Sequence, residues 1–458
     1  MLKSNIAWMK KNVPSDLKVW KGMIQDIDWS QVAAKTKLSL QRDKDRITAE
    51  FKEFAAMDTS AKIDWLMNGD RHLGYLYKKD AIAFARREWK GLKSVGYDFV
   101  GWLKIWGGML NMVMKDPMSI MLAVFEYHWF ASYLATPAVV DRSVFGRRGK
   151  LLQADFDMWV AITHWAEDLI ANLIMADAKI GGNQKINKRI IMFDEMTMAQ
   201  MMAGFPNLLG IPYQMIPVFM VSEMDQLTLI PYIDAIESYG LPSDTCPLPT
   251  AECGCAVKDE YPMCGQGFIA SSMPCDGSVM ATSFQDRRFS KFMPSYPLCM
   301  PVRYDDEDTT EMAAADMKDC IHWVEGLTGE TWNWDTYFAT MEKMNECTRL
   351  EMEKWEINKT HYPQLVGSSF ELFRKWNYEM DGGLFPEGLK TQRKICKTMM
   401  ETYEKKLPAY VGGYEKYRAL IWSCPAHFYA NFSNWLANCW GIYALTEMEA
   451  LNMTKMLN

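Results

Sequence analysis

The sequence predicts an α/β protein: a doubly wound parallel-sheet domain with helical insertions, preceded by an all-helical N-terminal region and followed by an incomplete second α/β domain. Three observations predict it. Short apolar runs at Arg189–Phe193, Gly267–Ser271 and Pro297–Val302 alternate with helical-looking segments, the pattern of a parallel sheet with helices on its faces. Before about residue 185 the apolar residues recur at helical spacing and no strand-like run is found. A last run, Arg418–Ser423, enters Cys424-Pro425 and reads as the first strand of another α/β unit.

Taken in order, residues 1–185 form a helical extension. Phe99–Val140 is its most apolar part, but Lys115, Asp116 and Pro117 cut it, and Glu126 and His128 interrupt the remainder. A membrane-spanning helix needs about 20 mostly uncharged residues, so a buried or interfacial helix pair is expected instead. Trp102, Trp106, Tyr127, Trp129 and Phe130 suit a core, a subunit interface or the wall of an apolar pocket. Met158, Ile162, Trp165, Leu169 and Leu173 form the stripe of an amphipathic helix, which Gly181, Gly182 and Asn183 end.

Residues 186–305 are the first α/β domain, and its ligands are expected at the carboxyl ends of the strands, where Ser271–Cys275 lies. Residues 306–413 are helical. Met317, Cys320, Ile321, Val324 and Leu327 share one helix face, Gly329 ends that helix, and Asn333 caps the next, which carries Tyr337, Met341, Met344 and Leu350. The run Asp305–Asp308 is a solvated helix start at the positive end of the dipole, without the ligand spacing of a calcium loop. Residues 414–458 begin a second α/β domain of one or two strands, too few for an independent sheet. A longer gene product or a second polypeptide is expected to complete it.

The net charge of -7 and the lack of a basic stripe argue against nucleic acid as a partner. There is no P-loop and no G-x-S-x-G elbow. Gly265–Ala270 fits G-x-G-x-x-A but enters an apolar run instead of coming after one, the wrong context for a dinucleotide loop. The six histidines are scattered, and only His427, three residues after Cys424, sits at an expected strand end. The 36 methionines read as core filling and adaptable interfaces.

Of eleven cysteines, Cys246, Cys253, Cys255, Cys264, Cys275 and Cys299 fall in one stretch. With no secretory leader pattern the chain is expected to be cytoplasmic, where such clusters serve metals or iron–sulfur groups more often than disulfides. No C-x-x-C knuckle is present, so a zinc ribbon is disfavoured. Cys246 and Cys275 stand out: each sits beside a helix, next to a proline and near an aspartate.

The run Ser271-Ser272-Met273-Pro274-Cys275-Asp276-Gly277, the charged helix through Gln285–Phe289 and Tyr296–Pro301 together resemble the 2-hydroxyacyl-CoA dehydratase and benzoyl-CoA reductase family. Leu327-Thr328-Gly329, Asp381-Gly382-Gly383 and the Arg418–Pro425 strand and turn come in the family's order, and Tyr239-Gly240-Leu241 to Cys246 resembles its segment ending in the first cluster cysteine. The resemblance covers about 186–458. It implies a [4Fe–4S] cluster held by three cysteines, two of them at Cys246 and Cys275, with one iron open. It also implies a related second subunit, a separate ATP-dependent iron–sulfur activator and an acyl-CoA substrate. One electron from the activator would form a ketyl radical, the 2-hydroxyl would leave as water, and the electron would then be returned. The family's third cysteine has no counterpart before residue 458, Cys424 matches a different turn, and the polar segment after the first strand, Asp194–Gln200, carries over no catalytic side chain. A partner subunit that keeps the fold without a cluster is the alternative reading.

Overall fold

The structure, a computed structural model, describes residues 54–68, 91–135, 149–193, 199–214, 217–218, 220–221, 228–271, 276–289, 293–299, 301, 306–364, 381–406, 409, 415–421 and 436–447, with isolated positions before residue 54. Up to Asn187 the described elements are all helical: α1 (Thr59–Asn68), α2 (Gly91–Lys115), α3 (Pro117–Glu126), α4 (Gly149–Ala176) and α5 (Gln184–Asn187), with a 3-10 stretch at His128–Ala135. The break expected at Lys115-Asp116-Pro117 is the boundary between α2 and α3. Pro117 fits only the first turn of a new helix, and the Asp116 carboxylate caps it by accepting from the Ser119 N–H at 3.1 Å. No described helix is long and apolar enough to cross a membrane.

The chain then winds a sheet. Strand β1 (Ile190–Phe193) is followed by α6 (Ala199–Met202), β2 (Leu209–Pro212), α7 (Ile230–Glu237), α8 (Pro247–Val257), β3 (Gly267–Ser271), α9 (Asp276–Phe289) and β4 (Ser295–Leu298). All pairs are parallel, in the order β2-β1-β3-β4, with Met192 opposite Ile211 and Phe268, and Ile269 opposite Tyr296. Helices α10 (Glu307–Thr328), α11 (Trp334–Asn358) and α12 (Gly388–Glu404) come next, and then a parallel pair, β5 (Tyr417–Ile421) and β6 (Ile442–Glu447). The α/β class and parallel sheet expected from the sequence are present. Two details differ. Strand β4 starts earlier than the apolar run Pro297–Val302, and β2, a Gly- and Pro-containing strand of four residues, was not anticipated.

Period-two alternation divides the central strands between two cores. Ile190, Met192, Phe268 and Ala270 share one core with Leu248, Ala251 and Cys255 of α8 and with α4, whose Met158, Ile162, Trp165, Leu169 and Leu173 are all buried as the stripe requires. Ile191, Phe193, Ile269 and Leu298 share the other with Met202 of α6 and Cys320 and Val324 of α10. Burial on both faces is why β1 and β3 read as continuous apolar runs. The N-terminal helices are thus part of the core that covers the sheet.

Buried Asp177, just past α4, fastens that core to the sheet. Its carboxylate accepts from the Tyr127 hydroxyl, the Lys179 N–H at 3.0 Å and the Met263 N–H at 2.7 Å, tying α4 to the segment that leads into β3. The opposite surface of α2 is bare: Phe99, Leu103, Trp106, Leu110 and Met114 are exposed at helical spacing.

Helices α7 and α8 touch backbone to backbone at Gly254, where an added Cβ would lie 2.0 Å from the Tyr232 carbonyl oxygen. Gly254→Ala is expected to destabilise the protein by about 1–3 kcal/mol in urea denaturation, because rigid backbone must move. Gly326→Ala, in α10 with open space around it, should instead gain roughly 0.5–1 kcal/mol. Equal effects at the two positions would show that the helix contact is not close.

Candidate functional site

A strand joined to a parallel neighbour by a helix obliges that helix to run back along the sheet, so helix N-termini and strand carboxyl ends meet at one edge. The order β2-β1-β3-β4 places the reversal of winding between β1 and β3. The carboxyl ends there are Phe193 and Ser271. Helix α8, which precedes β3, starts at this edge, and Cys246 is its N-cap, with Pro247 in the first turn. Helix α9, which comes after β3, starts here too, at Asp276, and packs beside α8. Cys275 immediately precedes Asp276 in sequence but lies outside the described residues, as do Cys424, His427 and Asp194–Met198.

The Cys246 side chain is exposed and makes no capping bond, and the Thr250 hydroxyl donates to the Cys246 carbonyl at 2.8 Å. It stands where a helix favours negative charge. The other described cysteines divide by burial. Cys299, just past the carboxyl end of β4, is exposed; Cys253, Cys255, Cys264, Cys320, Cys347 and Cys396 are buried and none is in a disulfide. Burial, with Glu252 nearby, pushes the Cys253 thiol up to about 12, and burial first of all raises Cys320 and Cys396 to about 12 and Cys264 well above the usual range. Those thiols stay protonated and are poor metal ligands. Among the described residues no group of three His, Cys, Asp or Glu side chains is arranged to hold a metal.

A buried polar network joins the two helices that begin at this edge. The Tyr213 hydroxyl, one residue beyond β2, donates to Gln285 Oε1 of α9 at 2.7 Å, and Gln214 Nε2 donates to Glu252 Oε2 of α8 at 2.7 Å. Gln285 Nε2 in turn donates to the Glu252 carbonyl at 3.4 Å, and Tyr213 stacks on Tyr261 with centroids 4.0 Å apart. These residues fix α8 against α9. Sequence reading missed them, because nothing local marks a glutamine whose partners lie a whole crossover away.

The other motifs fall as their contexts suggested. Gly267 begins β3, so the glycine-rich match enters a strand. Asp306 caps α10 by accepting from the Thr309 N–H at 2.6 Å, and the Thr309 side chain together with that N–H holds its exposed carboxyl below the usual range. Asn333 caps α11, accepting from the Thr336 N–H at 3.0 Å, and His322 pairs with Glu325 at 2.9 Å on an exposed helix face.

A second concavity was not foreseen at all. A cavity of about 650 Å³ lies between α2, α4, the β1–β2 edge and the segment before α12. Glu167 of α4 lines it, 3 % exposed, and neither carboxyl oxygen has a hydrogen-bond partner among the described residues. Asp381, partly exposed as a residue, accepts from Trp165 Nε1 at 3.0 Å and faces the Leu384 and Phe385 N–H groups, while its shielded Oδ2 has no partner in hydrogen-bond geometry among the described residues. Burial raises Glu167 to about 8 and Asp381 to about 7. The only hint in the sequence was an acid, Glu167, within the apolar pattern of α4.

A carboxyl raised by folding stabilises the fold fully below its unfolded value, and that contribution is lost as pH rises through the folded value. Stability should therefore fall between about pH 4.5 and pH 8 on account of Glu167. Glu167→Gln removes this dependence, so at pH 8 it should be more stable than the parent by about 2–5 kcal/mol, and near parity at pH 4.5, in urea unfolding. A constant difference across that range would contradict the burial of an uncompensated carboxyl.

No curated protein matches the chain in sequence. The profile described as 2-hydroxyglutaryl-CoA dehydratase, D-component, matches residues 226–456, half of the chain. The match begins just before α7, takes in α8 with Cys246, β3 and α9, and runs through β6. The chain belongs to the 2-hydroxyglutaryl-CoA dehydratase D-component family.

Proposed function

We propose that the chain is a component of an anaerobic 2-hydroxyacyl-CoA dehydratase that eliminates water after one-electron activation, and that Cys246 and Cys275 are thiolate ligands of its [4Fe–4S] cluster. The observation that carries this reading is the exposed Cys246 at the N-terminus of α8, at the switch point of the parallel sheet, beside the helix that Cys275 precedes. Such a cluster, with one iron open, supplies a Lewis acid for a substrate oxygen and a port for a single electron. The family match favours dehydration over the related reduction of benzoyl-CoA.

This chain's residues then have separable roles. Cys246 holds its donor sulfur at a helix end that favours the thiolate. Glu252, Gln285, Gln214 and Tyr213 keep α8 and α9 in fixed register, so that the N-termini of the two helices cannot drift apart. A D-component works with another component, and the bare apolar stripe on α2 is surface of the kind a related subunit covers. The electron would come from a separate ATP-hydrolysing iron–sulfur activator, and the substrate would be an acyl-CoA with a 2-hydroxyl.

The test is metal analysis of the anaerobically purified complex. Iron and acid-labile sulfide should be present in the parent and largely lost, with dehydration activity, in Cys246→Ser and in Cys275→Ser, whereas Cys253→Ser keeps both. Parent complex without iron, or full iron in both the Cys246→Ser and the Cys275→Ser variant, would move the chain to the role of a structural partner.

A further inference from the structure

The cavity that holds Glu167 and Asp381 is separate from Cys246 and is built like a binding site. Its size is that of pockets for small organic ligands, about 300–1,000 Å³. Its walls are largely apolar, with Met112, Trp165, Leu169, Phe193, Met202 and Leu208 among them. Glycine at position 108 keeps the α2 wall open, since a Cβ there would lie 2.1 Å from Glu167 Oε2. Among the described residues that line it, the buried side-chain polar atoms without partners are carboxyl oxygens: both from Glu167 and one from Asp381. Burying an acid without a donor is costly, and what these oxygens lack is hydrogen-bond donors and positive charge.

The cations nearby are engaged or peripheral. Lys115 is bound to Asp168, the His164 ring pairs with the Lys104 carbonyl at 2.9 Å, and Lys104 itself is exposed. A metal ion is poorly served, since no three ligating side chains converge among the described residues. An ammonium group offers three donors and one charge on an apolar body, which matches the wall and the orphaned oxygens together. We infer that this cavity is a binding site for a small organic amine, with Glu167 as its principal counter-ion and Asp381 as the second acceptor.

Burial holds Glu167 near 8, so at neutral pH its carboxyl carries a proton that must leave when an ammonium binds. The other ionisable groups sharing the cavity are Lys104 on α2, His164 and Asp168 on α4, and Asp381 and Glu387 before α12. Of these, Asp381 is raised to about 7 and adds to the release in the same direction.

Isothermal titration of the full chain with benzylamine, against its neutral analogue benzyl alcohol, tests this. Benzylamine should bind and benzyl alcohol at least about tenfold more weakly, the scale of one charge-assisted hydrogen bond. Titration in buffers of different ionisation heat at pH 6 should show release of about one to two protons, and affinity should rise at least roughly tenfold per unit from pH 6 to pH 7. Glu167→Gln, checked for folding by circular dichroism, should lose about tenfold in benzylamine affinity and about one proton of that release; Asp381→Asn should lose less. Equal binding of the alcohol, no binding of benzylamine at millimolar concentration, or a folded Glu167→Gln that binds as the parent does would overturn the inference. None of these outcomes depends on iron at Cys246, so failure here leaves the dehydratase reading intact.

Discussion

Parallel strand pairing is the constraint on which the site depends. Because β1, β2, β3 and β4 all point the same way, every connection must return across a face, and α8 and α9 begin where β1 and β3 end. Cys246 reaches that edge through topology alone, with no need of a dedicated loop. Main-chain hydrogen bonds between Met192, Phe268 and their neighbours thereby set the position of a thiol far away in sequence. The buried Tyr213–Gln285 and Gln214–Glu252 bonds then remove the remaining freedom, the sliding of one helix on the other.

The N-terminal helices matter to this arrangement because α4 closes one face of the sheet. Its apolar stripe, the stacked Tyr127 and Trp129, and the Asp177 junction bury the surface that Ile190, Met192 and Phe268 would otherwise expose. The same helix carries Glu167, so the element that stabilises the sheet also bears an acid buried without a partner in a cavity wall. A stable scaffold tolerates such a group when the group has a use.

What could be read in advance was local in origin. The stripe on α4, the caps at Asp306 and Asn333, the stop at Gly329 and the strands β1, β3 and β5 each declare themselves within a few residues, through periodicity or a capping side chain. Strand β2 did not, since Leu209-Gly210-Ile211-Pro212 has turn-forming residues at alternate positions and is a strand because β1 templates it. The cysteines show the same limit within the site. Cys246 could be singled out by its proline and its helix, whereas the burial that silences Cys253 and Cys264 depends on packing against Ile236, Met192 and other distant partners. Glu167 and Asp381 are more than two hundred positions apart and meet only at a cavity.

The dehydratase reading rests on a metal centre at the sheet edge, and the most direct measurement is an anomalous difference map at the iron absorption edge, from crystals of the complex grown without oxygen. The account predicts a peak within bonding distance of both the Cys246 and Cys275 sulfurs, at the carboxyl ends of β1 and β3. A map with no peak there, or with iron bound only elsewhere in the chain, would contradict it.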